Sequence, residues 1–174
     1  MGYTTDFNGH FELDKKLTDA QAEYLRAFAE TRHIKRDVKA LCAPEPIREA
    51  VCLPPGVEGE YCALGECSDG TVAYSDPPRT QPGLYCQWVP TDDNQGIEWD
   101  GGEKFYDYVE WLEYIVKNFL VPWGITIHGE VEWIGEDSND RGVLFAHKDK
   151  VAAVECEFTI KAPKWYKKAV KHGK

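Results

Sequence analysis

Several groups of residues in this 174-residue chain have types and spacings that could do chemistry. Trp99-Asp100-Gly101-Gly102-Glu103-Lys104 stands before a helical stripe, and two glycines at a helix start leave backbone N–H groups open to an anion, beside an indole that could stack on a base. Asp100 and Glu103 have the spacing of a capping box, which would satisfy those donors and repel phosphate. For a nucleotide-like ligand, Trp88 or Trp99 would then carry the base while Arg79 or Lys104 meets the phosphates. His128, Glu130 and Glu132, two apart on a strand, point the same way and could exchange protons, although a solvated sheet face explains them as well. Cys86 could act as a nucleophile, but nothing nearby in sequence lowers its pKa.

The six cysteines stand at 42, 52, 62, 67, 86 and 156. Cys42, Cys52, Cys62 and Cys67 could build a zinc site, but only Cys62-x4-Cys67 approaches the close pairing such sites use, so packed or loop thiols and no cofactor are the expectation. The chain has no Walker-type phosphate loop, no serine elbow and no His-x3-His pair.

The elements that must position these residues follow from periodicity. Residues 3–13 alternate as a strand kinked at Asn8-Gly9. Thr18 caps an amphipathic helix from Asp19 to Arg32, and His33 sits in its basic end, solvated or capping. Pro and Gly punctuate 43–83, leaving room for a short helix at 46–52 and a long loop at 54–83. Leu84–Val89 and Gly96–Trp99 read as a hairpin. Phe105, Tyr108, Val109, Leu112, Ile115, Val116, Phe119 and Leu120 recur at helical spacing, predicting a helix from about Glu103 to Leu120 that crosses the sheet. Strands at 125–133, 142–147 and 151–160 follow, the last with Val154, Cys156, Phe158 and Ile160 toward the core. The predicted class is α+β: one domain over 1–160, mainly an antiparallel sheet with a C-terminal meander and two principal helices, followed by a basic tail at 161–174.

A net charge of −10 disfavours nucleic-acid binding by the body of the protein, while Lys161, Lys164, Lys167, Lys168, Lys171 and Lys174 stand in a tail without acids. No run is apolar enough for a membrane span, the N-terminal residues do not form a signal peptide, and Asp6 stands where a myristoylation motif wants Ser or Thr. A cytoplasmic protein is expected. Six Trp, nine Tyr and seven Phe exceed what one helix-on-sheet core needs, which points to a recognition surface near the long loop.

Gly2-Tyr3-Thr4-Thr5-Asp6-Phe7, Tyr24-Leu25-Arg26-Ala27-Phe28, Gln81-Pro82-Gly83-Leu84-Tyr85-Cys86-Gln87-Trp88 and the run Ile97 to Leu120 resemble a family of small uncharacterised proteins of bacterial and phage genomes. The resemblance implies a mobile-element setting in a host cell and no particular activity. It suits a noncatalytic binding protein that counters host defence, either sequestering a small nucleotide-like signal or occupying a host defence protein, with oligomerisation open. The rival expectations are a small enzyme using His128 with Glu130, or Cys86, and an acidic DNA mimic.

Overall fold

Alternation of apolar and polar residues from Ile127 onward builds the longest strand, and the rest of the sheet assembles on it. The computed structural model describes residues 2–41, 44–65, 67, 69–137 and 139–156. Over these the chain forms β1 (Thr5–Asn8), β2 (His10–Leu13), α1 (Asp19–Glu30), β3 (Lys35–Arg36), α2 (Pro46–Ala50), β4 (Thr71–Ala73), β5 (Trp88–Pro90), β6 (Gly96–Trp99), α3 (Tyr108–Ile115), β7 (Ile127–Gly135), β8 (Arg141–Lys148) and β9 (Lys150–Glu155). A seven-stranded antiparallel sheet runs β5-β6-β2-β7-β8-β9, with β1 also on β7, while β3 and β4 form a separate ribbon. This is the expected α+β class with its C-terminal meander of β7, β8 and β9. Among the described residues, no helix is long and apolar enough to cross a membrane.

The kink expected at Asn8-Gly9 is the break between β1 and β2. Gly9 has φ +108, a left-handed value that glycine adopts without a Cβ clash. One face of the sheet carries Phe11, Ile97, Ile127, Val131, Trp133 and Leu144 into the core, where α3 supplies Trp111, Leu112 and Ile115. Phe28 of α1 meets Trp111, Tyr114 and Phe119 through edge-on and stacked ring contacts, which ties the two helices together. Thr18 caps α1 in a full capping box with Gln21.

Three expectations are corrected. The central helix begins at Tyr108 rather than Glu103, and Asp100 does not cap it: its carboxylate accepts the N–H of Gly102 at 2.7 Å in a local turn. Left-handed Gly101, Lys104 and Asp107 break any helix before Tyr108, and beyond Ile115 the chain widens into a π-helical turn, Val116–Leu120. His33 is not solvated; it is 3% exposed, packed against the rings of Phe28 and Trp111. The phase of β9 is reversed relative to the expectation. Its register sets Val151 and Ala153 opposite the inward Ala146 and Leu144, so Val154 points away from the core and is 54% exposed, and Cys156 is exposed as well. Phe158, Ile160 and the basic tail at 161–174 lie outside the described residues.

The long segment before β5 is held by buried polar groups more than by regular structure. Arg36, which is buried, donates to the carbonyls of Asp69 at 2.5 Å and Cys67 at 2.7 Å, and Arg48 pairs with Glu45 at 2.8 Å. Gln81 donates to the Glu60 carbonyl at 2.7 Å, fixing the far end of the segment above α3.

Candidate functional site

Where this anchored segment crosses the irregular run before α3, a cleft of about 740 Å³ opens. One wall is Pro82, Gly83, Leu84, Tyr85 and Gln87; the other is Glu103, Lys104, Tyr106, Asp107 and Trp111. The two walls are joined by Gln87, whose amide donates to the Glu103 carbonyl at 2.9 Å and accepts from the Trp99 indole at 3.0 Å. Tyr85 and Tyr106 remain half exposed at the rim. The guanidinium of Arg32 backs Tyr85, lying 5.1 Å from its ring centre and 4.5 Å from that of Tyr74 while donating to the Tyr85 hydroxyl. Tyr106 is tethered on its other side, its hydroxyl accepting the backbone N–H of Tyr3 at 3.1 Å. The rim aromatics are therefore preset rather than free to swing.

The floor carries two polar atoms side by side. A β-carbon on Gly83 would lie 3.2 Å from Asp107 Oδ2 and 3.7 Å from Trp111 Nε1, so Gly83 leaves space in front of an acceptor and a donor. Trp111 is 0% exposed, and its Nε1 has no hydrogen-bond partner among the described residues, a costly state for a buried donor. Asp107 occupies the position before α3 with φ 54 and caps nothing with its side chain. Partial desolvation, with help from Glu110, raises its pKa above the usual carboxylate value. Deeper still, His33 Nε2 and Gln81 Oε1 are likewise without partners among the described residues. Burial, reinforced by the charge of Arg36, pushes the His33 pKa down to about 3, so it is neutral.

The residues singled out in the sequence are dispersed. Lys104 lies on the cleft wall, its stem against Gly2 and its ammonium 4.0 Å from Glu103. Arg79 lies outside this cleft, on a neighbouring hollow with Gln81, Tyr114 and Lys117, and pairs with Glu58 at 3.5 Å. Trp88 is 1% exposed and enclosed by Phe7, Phe11 and Phe105. Trp99 is half-buried against Phe7 and borders a separate hollow with Arg26 and Glu98. Cys86 is buried, and desolvation pushes its thiol up to about 12. His128 contacts Glu12 at 3.1 Å on the outer face of the sheet, where Glu130 is also exposed.

Cys52 and Cys67 are exposed, Cys62 is buried with its thiol pushed up to about 12, and Cys42 lies outside the described residues. No group of three His, Cys, Asp or Glu side chains comes together as metal ligands would among the described residues.

Tyr85, Tyr106, Asp107 and Trp111 are the site residues that sequence reasoning missed. Their one local signal is Pro82-Gly83, a turn that brings the chain close over α3. The two walls coincide with two of the stretches that carry the family resemblance. Comparison of the chain with protein-family models, with curated proteins and with solved structures finds no match.

Proposed function

We propose that the protein is a noncatalytic binding protein that holds a small planar, nucleotide-like ligand in the cleft between Tyr85 and Tyr106. The observation that carries this reading is the floor: the partnerless Nε1–H of Trp111 beside the uncommitted carboxylate of Asp107. A donor next to an acceptor matches a heterocycle whose edge presents a carbonyl beside N–H groups, and flanking tyrosines supply ring contacts at low entropic cost. Lys104 is offset by Glu103 and Asp107, so the cleft favours a base, nucleoside or cyclic monophosphate over a polyphosphate. The protonated, buried thiol of Cys86 and the placement of His128 on an open sheet face support binding over turnover. In the mobile-element setting that the resemblance implies, the ligand would be a signal of host defence and the role its sequestration. Occupation of a host defence protein is the second reading, favoured by exposed Glu12, Glu130 and Glu132 on the outer sheet face.

Calorimetry against guanosine, adenosine, cyclic mononucleotides and ADP-ribose tests the proposal. Binding of a panel member, weakened about tenfold or more by Tyr106→Ala and by Trp111→Phe, is expected. If no panel member binds while a host protein copurifies, sequestration is wrong and the second reading takes its place.

A further inference from the structure

Nothing on the described chain covers the outer edge of β9. It is a terminal strand of the sheet, pairing with β8 without interruption from Lys150 to Glu155, and it contains no proline, glycine or bulge. Natural proteins blunt such edges with those devices or with lysines along the strand, because an open edge templates pairing with another chain. Here charge stands only at the ends, around Val151-Ala152-Ala153-Val154.

The phase of the edge is fixed by one bond. Cys156 donates its N–H to the carbonyl of Arg141 at 2.7 Å, so the backbone groups of Cys156 and of every second residue before it turn toward β8. Those of Val151, Ala153 and Glu155 therefore point outward, unpaired within the sheet. On the outer face, Ala152 and Val154 lie beside Phe145 and Val143, and both Val154 and Phe145 are exposed although apolar.

We propose that β9 joins two copies of this chain, edge to edge and antiparallel, in a register centred on Ala153. A two-fold axis perpendicular to the sheet keeps the faces matched, and this register puts Ala153 opposite its own copy and Val151 opposite Glu155 of the second copy. All the outward N–H and C=O groups then meet partners. On the outer face Ala152 abuts Val154 of the other copy, extending the Phe145 and Val143 patch of each chain into one apolar band. No two like charges face each other across the seam.

Sedimentation equilibrium and light scattering on the full chain provide the test, with Ala153→Pro and Ala153→Lys as probes. The outward N–H of Ala153 makes no bond to β8, so proline there removes the intermolecular donor and spares the monomer's own ladder. Lysine keeps the backbone but sets two ammonium groups opposite each other at the axis. The expected result is a wild type with twice the 19.8 kDa chain mass at tens of micromolar, and variants that are monomeric with unchanged circular dichroism. A monomeric wild type, or an Ala153→Lys variant as dimeric as wild type, overturns the proposal. Should the proline variant unfold, the lysine variant decides.

Discussion

Trp88 donates its indole N–H to the carbonyl oxygen of Tyr108 over 2.8 Å, pinning β5 to the first residue of α3. The indole that the sequence offers as a stacking platform thus sets the distance between the sheet and the helix bearing the cleft floor. Trp88→Phe should lose this bond and some volume, costing about 1–3 kcal/mol, with Trp88→Ala at about 3–5 kcal/mol. Urea unfolding measures both, and a Trp88→Phe protein as stable as wild type would show that the bond contributes nothing.

Gly83→Ala places a methyl group against Asp107 Oδ2 and in front of the Trp111 indole nitrogen. The backbone of Gly83 is not left-handed, so alanine brings little strain there. The expected outcome is a cleft closed at its floor: ligand affinity falls by about tenfold or more while the melting temperature stays within a few degrees. Unchanged affinity would move the binding site away from this floor.

His33 makes stability depend on acid. Its folded pKa of about 3 lies below its unfolded value of 6.5, so the unfolded chain takes up the proton first as pH falls. Its contribution is complete above pH 6.5 and declines from there toward pH 3, amounting to roughly 3 kcal/mol lost by pH 4. Subtracting the pH profile of His33→Gln from that of wild type removes the carboxylates common to both. A flat difference would mean that the imidazole is protonated at little cost in the folded state.

Arg36→Met should release the segment that precedes β5. The guanidinium is the donor to two loop carbonyls, and its alkyl stem packs beneath Gly59. Losing charge-assisted bonds of this kind costs about 1.5–3 kcal/mol, and the effect should concentrate at 59–74. Limited proteolysis should cut the variant there while the sheet survives; a cleavage pattern like that of wild type would assign the loop's order to other contacts.

Legibility in the sequence tracked how local the deciding interaction was. β7, the β5–β6 hairpin and α1 with its Thr18 cap could be read because alternation, turn residues and a capping box lie within a few positions of one another. The start of α3 could not. Asp100 and Glu103 have capping-box spacing, but the intervening glycines favour a turn, and left-handed Lys104 and Asp107 follow. The phase of β9 was hidden because Val151 and Val154 fall on opposite faces, so only pairing with β8 reveals which one turns inward. The cleft was the least legible feature. Tyr85 and Tyr106 are brought to one opening by a fold that joins two distant segments, and His33 is buried by rings from α1 and α3, contacts that a basic local run does not reveal.

The widened turn at Val116–Leu120 has a further consequence, for how this chain tolerates changes in length. A π turn is an α-helix holding one residue more than its pitch allows. Deleting one residue inside it would restore regular winding and rotate everything downstream by about 100°. Phe119 and Leu120, both fully buried, would then leave the rings of Tyr24 and Phe28 against which Phe119 packs. The surplus residue acts as a phase shifter between the cleft-bearing helix and β7, so single-residue deletions here should be rejected although the segment reads as ordinary helix.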